Sequence, residues 1–353
     1  MRKLVIALVV IAAGSYFALQ NQTLQDHLMA AVIKSRMAQD TSELFQQDAL
    51  NAMVCGSTSP FPSPKRAGPC IAIFAGDKFY IVDVGSRSWN NLALRGISAE
   101  KLGGIFITHF HSDHIAELGE YNMQSWAAGR DANLKIYGGQ GIENIVAGFN
   151  QAYAHDRGFR IEHHGADYLK PETAEMVAAP ITQLPKVIMQ DGKLTITAFA
   201  VDHDPIDPAL GYRFDYGDRS LVVSGDTVKS QSLINASKDA DVLFHEAQAQ
   251  HMVQQLEDTA KALGRHQLAK IFFDIRDYHT SPVEAAESAA EANVKELVLY
   301  HLTPPPPNKI AEKIFMRDVE KAGANSVQLA HDGLFYSLPL NSNTIQRQTI
   351  KAP

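Results

Sequence analysis

The stretch Gly104–His114, with the sequence GIFITHFHSDH, decides the fold of this chain. Residues 105–107 have the β-branched and aromatic character of a buried strand, and the apolar run stops where the polar residues begin. Side chains alternate between faces in extended backbone, and Ser112 can then open a helix that returns the chain to the same side. The four potential metal ligands gathered in this way are His109, His111, Asp113 and His114. Imidazoles with a carboxylate suit Zn²⁺ best among the common ions, so the stretch predicts a metal site at a strand end.

Other apolar runs of the chain also end in polar residues that can bind a metal. The runs and the residues that follow them are 194–201 with His203, 221–223 with Asp226, 242–244 with His245 and Glu246, and 297–300 with His301. A sandwich of sheets collects a site along one rim in this way, from distant parts of the chain. Helices predicted over Ser281–Ala292 and Ile310–Ala322 would cover the outer faces. The order of elements predicts an α/β (α+β) fold with four layers, αββα.

The composition of the 353 residues is that of an ordinary globular protein, with a net charge of −7. This charge argues against a broad polyanion-binding surface, because nucleic-acid binders use Lys and Arg to displace counterions. The two cysteines, Cys55 and Cys70, form no CxxC pair, which excludes a structural zinc–thiolate site. They flank the loop Gly56–Pro69 and are expected to form a disulfide that stiffens it, the alternative being two buried free thiols.

The first residues predict export. Arg2 and Lys3 precede a mostly apolar run, Leu4–Leu19, that has the pattern of a signal sequence but no convincing cleavage site. We therefore expect an uncleaved membrane anchor with everything after it on the far side of the membrane, the alternative being a buried N-terminal helix. Apolar residues then recur at helical spacing from Leu24 to Met37, which predicts a stalk or docking helix.

Two further groups of polar residues are candidates for the site. Asp83 follows the predicted strand Phe79–Val82 and is placed to hydrogen-bond the histidine loop, although a simple strand-ending turn would also explain it. His163 and His164 lie in a polar segment, where they are either substrate contacts or surface histidines.

Several motifs together resemble those of the metallo-β-lactamase superfamily. They are Thr-His-Phe-His-Ser-Asp-His at 108–114, a lone His203, Ser-Gly-Asp-Thr at 224–227 and a late His301. The likeness is to the branch of ribonuclease Z and arylsulfatase-type hydrolases, and it covers residues 49–339. Gly-Tyr-Arg after His203, and the Tyr-His-Thr-Ser-Pro segment that contains His279, mark this branch more narrowly. The resemblance implies an αββα hydrolase domain.

The resemblance also implies a site with two metal ions, Zn²⁺ first, with Mn²⁺ or Fe as alternatives. One ion would be held by His109, His111 and His203, the other by Asp113, His114 and His301, with Asp226 bridging. A water or hydroxide between the ions would be the nucleophile, and the two cations would lower its pKa. The implied catalytic residues are His279 as the acid that protonates the leaving oxygen, Asp113, and Glu246 as the residue that orients a ligand. The candidate substrate contacts are Arg213, in the Gly-Tyr-Arg segment, and the two histidines of the polar segment, His163 and His164.

Two departures from the family pattern narrow the expected function. Only the segment 204–225 separates His203 from Asp226, which leaves no room for the long tRNA-gripping arm of ribonuclease Z enzymes. The β-lactamase branch uses a Cys ligand, and both cysteines lie outside the ligand loops. We therefore expect a phosphodiesterase or arylsulfatase that hydrolyses small phosphoric or sulfuric esters, with a small molecule rather than a nucleic acid as the substrate. The alternatives are a tRNA 3′ endonuclease, a carboxylic ester or lactone hydrolase, and a non-catalytic zinc-binding scaffold.

The predicted organisation has four parts. They are a signal peptide or membrane anchor at 1–20, an amphipathic stalk helix at 21–48, a metallo-β-lactamase-like hydrolase domain at 49–340 and a polar tail at 341–353. Such a protein would be periplasmic and tethered to the inner membrane, or secreted if the signal is cleaved. A homodimer is compatible with this arrangement.

Overall fold

A computed structural model of the chain describes residues 20–37, 41–45 and 48–352. The chain forms two compact units, residues 1–43 and 44–353. In the first unit the predicted helix is present as α1 (Gln22–Met37), and its apolar residues, such as Leu28 and Val32, are exposed. The apolar run predicted to be an anchor, Leu4–Leu19, lies outside the described residues and stays a prediction. Among the residues that are described, no helix has the length and apolar character needed to cross a membrane.

The second unit is built from two β-sheets and the helices packed on them. The strands are β1 (Ala49–Gly56), β2 (Cys70–Ala75), β3 (Lys78–Val82), β4 (Leu102–Phe106), β5 (Leu134–Gly139), β6 (Met176–Ile181), β7 (Lys186–Asp191), β8 (Leu194–Ala200), β9 (Leu210–Tyr216), β10 (Arg219–Val223), β11 (Val242–Gln248), β12 (Glu296–Thr303), β13 (Val327–Leu329), β14 (Leu334–Pro339) and β15 (Gln346–Thr349). The helices are α2 (Ser88–Leu94), α3 (Ser112–Ile115), α4 (Leu118–Ala127), α5 (Ile142–Ala152), α6 (Ala154–His164), α7 (Gln231–Ala236), α8 (Gln250–Ala262), α9 (His266–Asp274), α10 (Pro282–Glu291) and α11 (Lys309–Phe315).

Within the described range 48–352, the strands form an eight-stranded sheet in the order β15-β14-β1-β2-β3-β4-β5-β6 and a seven-stranded sheet in the order β13-β12-β11-β10-β9-β8-β7. Alternation along β2 shows how the sheets pack: Ile71 and Ile73 face the other sheet, whereas Cys70 and Phe74 face the outer helices. The inner core joins residues of both sheets, and each outer face carries its own apolar layer. The predicted four-layer αββα sandwich is thereby confirmed.

Parallel strands at the centre of each sheet end at the rim where the predicted ligands lie. β3, β4 and β5 run parallel in one sheet, and β10, β11 and β12 run parallel in the other, with β8 in the same direction. The carboxyl ends of parallel strands meet at the same edge of a sheet. The loops that follow β4, β8, β10 and β12 therefore converge.

The disulfide predicted between Cys55 and Cys70 is present and closes the loop between β1 and β2. Asp332 holds one side of this loop, because its Oδ2 accepts a hydrogen bond from the Ala67 N–H at 2.7 Å. The guanidinium of Arg87 holds the other side and donates to two backbone carbonyls of the loop. The loop is therefore fixed at several points along its length.

The segment predicted to be a polar tail, 341–353, is part of the sandwich. Gln346–Thr349 forms β15 and pairs with β14. Ahead of it, the buried guanidinium of Arg219 donates to the backbone carbonyls of Ser342 and Thr344, the latter at 3.1 Å. The polarity of the segment concealed these contacts, because its backbone rather than its side chains makes them.

Candidate metal centre

Asp83 organises the loop that follows β4. Its Oδ1 accepts a hydrogen bond from the Thr108 N–H (2.9 Å), and its Oδ2 accepts from Thr108 Oγ1 (2.9 Å) and His114 Nδ1 (2.8 Å). Helix α3 begins at Ser112, as the sequence predicts, and returns His114 to the strand end. The expected contact between Asp83 and the histidine loop is confirmed, and Nε2 of His114 is left for another partner.

All the predicted ligands lie in one cluster. Two triads each place their ligand atoms within 4.8 Å of one another: one is His109, His111 and His203, and the other is Asp113, His114 and His301. Asp226 lies between them. Its Oδ2 is 3.9 Å from His109 Nε2, 3.4 Å from His114 Nε2 and 3.3 Å from His301 Nε2. The structure thus brings the two predicted ligand sets together around one carboxylate.

A β-bulge in β12 delivers His301. The register between β11 and β12 shifts, so that residues 300 and 302 stand opposite Glu246 and Ala247. His301 is the extra residue between them, and its backbone is left-handed, with a φ of 48°. The left-handed region is costly for a residue with a Cβ, and such strain is often found where a side chain must be aimed at a site. The bulge takes the imidazole out of the alternation of the strand and turns it toward the cluster.

The hydrogen bonds of the cluster leave ring and carboxylate atoms for a metal. His203 Nδ1 donates to the Tyr278 carbonyl at 2.9 Å, which leaves Nε2 for the cluster. Within the described part of the chain, Nε2 of His203, Nε2 of His114 and Oδ1 of Asp226 are buried without a hydrogen-bond partner. Buried polar atoms without partners are costly. Their convergence in a set of imidazoles and carboxylates fits a pair of divalent cations.

The charges of the cluster shift the pKa values of its members. Burial alone would raise the pKa of Asp226, but His301 and His114 outweigh it and hold that pKa well below the ordinary carboxyl value. Burial opposes the charged form of His114, but Asp226 and Asp113 outweigh it and raise the pKa well above its ordinary value. Burial, together with His114, lowers the pKa of His109 well below that of a free imidazole. A neutral His109 and an ionised Asp226 are the forms that bind cations, whereas a protonated His114 must release its proton to become a ligand.

Glu246 lies beside His279, the candidate acid. Its Oε1 accepts hydrogen bonds from His279 Nδ1 (2.9 Å) and from the backbone N–H groups of Thr280 (3.1 Å) and Thr227 (3.3 Å). Burial opposes the charged form of His279, but Glu246 outweighs it and raises the pKa of the imidazole. Glu246 was expected to orient a ligand. It contacts the candidate acid instead, and it reaches the ligand Asp226 only through the next residue, Thr227.

The predicted substrate contacts lie away from the cluster. Arg213, on β9, pairs with Asp215 (3.0 Å) and donates to the carbonyl of Ala236 (2.7 Å) at the end of α7. His163 and His164 are exposed at the end of α6, and their rings meet edge to face. These three residues do not line the cavity at the cluster. Strand alternation points the side chain of Arg213 to the outer face of the sheet, and helix α6 presents the two histidines to solvent. The substrate role of these residues stays a prediction.

Sequence reasoning missed the wall opposite the ligands. A cavity of about 550 Å³ opens at the cluster, and its far side is formed by Phe61 and by helix α9, which pairs with α8 as a helical hairpin. Tyr278, whose carbonyl holds His203, lines the same cavity. A signal for α9 was present in the sequence. Apolar residues at spacing i, i+3, i+4 and i+7 are typical of one helix face, and here they are Leu268, Ile271, Phe272 and Ile275.

Comparison with known proteins identifies the family. The pattern of the family described as the Beta-lactamase superfamily domain matches residues 83–302, the part of the chain that carries the cluster. The chain belongs to the metallo-β-lactamase superfamily. It is accordingly a metal-dependent hydrolase that acts on ester bonds, which confirms the predicted class of enzyme.

The relatives place the chain in the ribonuclease Z branch of this superfamily. Ribonuclease Z of Mycobacterium bovis (strain BCG / Pasteur 1173P2) is 37% identical over 261 residues, which cover 72% of this chain and 86% of that protein. Two solved structures share the fold. The metallo-β-lactamase fold protein YhfI from Bacillus subtilis has a TM-score of 0.59 at 21% identity, and human tRNase Z, short form, has a TM-score of 0.59 at 18% identity. Each match covers 82% of this chain and 100% of the other.

These relatives correct the expected substrate. The expectation of a small phosphoric or sulfuric ester rather than a nucleic acid as substrate is wrong, because a relative at 37% identity is a ribonuclease Z. The short segment between His203 and Asp226 does not outweigh this identity, which extends over 86% of that relative's length. The argument from the net charge of −7 fails for another reason: it describes the whole surface and not the rim of the site.

Proposed function

We propose that this chain is a binuclear phosphodiesterase of the ribonuclease Z type, which cleaves a phosphodiester bond of RNA, with the 3′ end of a tRNA precursor as the first candidate. The observation that carries the proposal is the bridged cluster. Two ligand triads share Asp226, whose Oδ2 lies within 3.9 Å of imidazole nitrogens from both. Similarity to ribonuclease Z supports RNA as the substrate.

The donor set favours zinc. Imidazoles combined with two carboxylates suit Zn²⁺, with Mn²⁺ or Fe as alternatives. The residues that would hold the ions are His109, His111 and His203 on one side, Asp113, His114 and His301 on the other, and Asp226 between them. When bound, two such cations supply Lewis acidity toward water and toward the phosphate oxygens.

The residues of the chain would orient the substrate and move one proton. His279 lines the cavity beside Asp226 and His301. Its Nδ1 is held by Glu246, so Nε2 is the ring nitrogen that can give a proton to the departing ribose oxygen. Glu246 is a positioning residue in this scheme, since it acts through His279.

The test uses the purified full-length chain. Metal analysis should find two ions per chain, and the metal-loaded protein should cut a tRNA precursor so that the upstream product ends in a 3′-hydroxyl. Asp226→Asn should lose this activity, and Asp131→Asn, at an exposed carboxylate outside the cavity, is the matched control. Two bound ions without cleavage of the precursor, or of any unstructured RNA, would overturn the proposal.

A further inference from the structure

The wall opposite the ligands is more apolar than chemistry at a phosphate requires. The cavity has ligands such as Asp113 and His301 on one side and apolar residues of α9 on the other. Two of these, Leu268 and Ile271, are 37% and 48% exposed. Large apolar side chains that stay exposed beside a reaction centre mark a surface that binds an apolar group.

Phe61 and Phe272 form the base of this wall. Their rings stack with centroids 5.9 Å apart and an interplanar angle of 14°. Phe61 belongs to the loop closed by the disulfide, whereas Phe272 belongs to α9 and packs with Val253 of α8 in a small separate core. Two independent elements therefore present one continuous apolar surface, and each is fixed by its own contacts.

A second, polar cavity adjoins the apolar one. It has a volume of about 510 Å³, shares Phe61, Ser112 and Asp113 with the apolar cavity, and is lined by Arg66 and Arg87. Among the described residues, neither Lys nor Arg lines the apolar cavity. A nucleic acid strand offers the same two chemistries side by side, since the faces of its bases are apolar and its phosphates need positive charge.

We propose that the apolar cavity binds the nucleobase of the nucleotide whose ribose oxygen departs, and that the strand continues on the other side of the cluster past Arg87. His279 lines the apolar cavity, so the departing oxygen and its own nucleotide belong on that side. Every base has a flat face that Phe, Pro and Ile side chains can cover. This subsite therefore binds a base by stacking and does not distinguish one base from another. The inference rests on the proposed function, because it assigns a subsite of the same reaction.

Binding of base-bearing and base-free phosphates tests the subsite without RNA cleavage. Calorimetry on the metal-loaded full chain compares adenosine 3′-monophosphate, ribose 3-phosphate and n-hexyl phosphate. Stacking of one base should strengthen binding of the nucleotide over the ribose phosphate by roughly 5- to 100-fold. Equal affinities for these two ligands, or an equal gain with n-hexyl phosphate, would overturn the nucleobase subsite.

A charge placed on the wall supplies the matched variants. Ile271→Asp changes an exposed position, so the fold should tolerate it, and the affinity ratio of nucleotide to ribose phosphate should fall toward one. Ile310→Asp changes another exposed isoleucine, on α11 and outside the cavity, and should keep the ratio. If light scattering shows that Ile271→Asp separates a dimer while the ratio stays the same, the wall is an interface between copies and the subsite is wrong.

An RNA with a single abasic nucleotide distinguishes failure of this inference from failure of the proposed function. On the leaving side of the cut, the abasic nucleotide should lower kcat/KM by roughly 5- to 100-fold, and on the other side it should lower it far less. An unchanged kcat/KM with the abasic nucleotide on the leaving side would overturn the subsite alone. A preserved preference for the nucleotide without cleavage of any RNA would overturn the proposed function and support the subsite.

Discussion

Two clusters of buried charge lie at opposite ends of the same strands. Where β10 and β11 begin, Arg219 pairs with Asp241 through two hydrogen bonds, Nε to Oδ2 at 2.9 Å and Nη2 to Oδ1 at 3.0 Å. Lys295 adds a further contact to Asp241 at 2.7 Å. At the opposite edge of the sheet, after the ends of β10 and β8, Asp226 and His203 keep buried atoms that have no hydrogen-bond partner in the described part of the chain.

The difference shows how a structural charge can be told from a ligand. In the first cluster every charge meets an opposite charge or a carbonyl, because Nη1 of Arg219 donates to Pro339 O at 3.0 Å and to Thr344 O at 3.1 Å. In the second cluster several imidazoles share two carboxylates, and Nε2 of His203 and Oδ1 of Asp226 are left over without a partner among the described residues. Charges that are satisfied by the protein hold the fold, whereas buried ligand atoms left without partners fit a bound cation.

Loss of the bridging carboxylate should have the largest effect. Asp226→Asn should lower the metal content below two ions per chain, and kcat/KM on RNA should fall by about 10⁴-fold or more, because each cation stabilises the transition state by several kcal/mol. Elemental analysis and cleavage assays measure both. Asp241→Asn makes the same chemical change in the other cluster and should keep both ions. Equal metal loss in the two variants would contradict the conclusion that only the cluster around Asp226 binds metal.

Removal of the candidate acid should cost activity without costing metal. His279→Ala should keep two ions, while kcat falls by about 10²–10⁴-fold, the usual contribution of a positioned acid. The defect should shrink on a p-nitrophenyl phosphodiester, because an acidic phenol departs without a proton. Metal loss in this variant would make His279 a ligand, and an equal defect on all leaving groups would make it an oxyanion-positioning group.

A change in the cluster of Arg219 and Asp241 should affect stability and not activity. Asp241→Ala leaves the guanidinium of Arg219 buried without its carboxylate and should lower the free energy of unfolding by about 3–5 kcal/mol. Denaturant unfolding of the metal-free protein measures the loss, and kcat per folded molecule should stay close to that of the wild type. The double variant Arg219→Met with Asp241→Leu should recover most of the stability, since it removes both charges. A double variant as unstable as the single one would show that the Arg219–Asp241 pair stabilises the fold through more than the mutual neutralisation of its two charges.

Lowering the pH should have the smallest of the predicted effects, a change in the contribution of Asp241 to stability. Burial would raise the pKa of Asp241, but hydrogen bonds from Arg219 and Lys295 outweigh it and lower the pKa below its ordinary 3.8. A carboxyl with a lowered folded-state pKa contributes stability above its ordinary pKa and loses that contribution as the pH falls through the folded value. The stability gap between wild type and Asp241→Asn should therefore be constant above about pH 5 and narrow below about pH 4. A gap that is unchanged at the lowest pH where the protein folds would contradict this.

The ligands could be predicted because the sequence encodes each of them locally. His109, His203 and Asp226 follow apolar runs, and strands that are buried in this fold end at one rim. The contact of Glu246 with His279 was not predictable in this way, because the two side chains are 33 residues apart and meet only after α8 and α9 have packed. Local pattern gives the residues of such a site, and tertiary packing decides which of them touch.

The residues assigned to substrate binding show the limit of motifs. Arg213 stands in a family-like tripeptide, yet its position in the alternation of β9 sends it to the outer face, where it pairs with Asp215. The apolar wall around Ile271 carries no motif, and its helix follows a glutamine-rich segment. A substrate surface is built from shape and exposure, which a sequence does not display.

The bulge at His301 changes the phase of a strand. Before it, Val298 and Tyr300 face the inner core and Leu299 faces the outer helices, and after it Leu302 takes the outer face. An unbroken alternation would put residue 301 on the outer face as well, beneath a helix. Deleting one residue there would give a smoother ladder and a poorer enzyme, because the strand would regain its pairing while the cluster lost a ligand. In a strand of this kind a ligand is gained or lost by insertion or deletion, and not only by substitution.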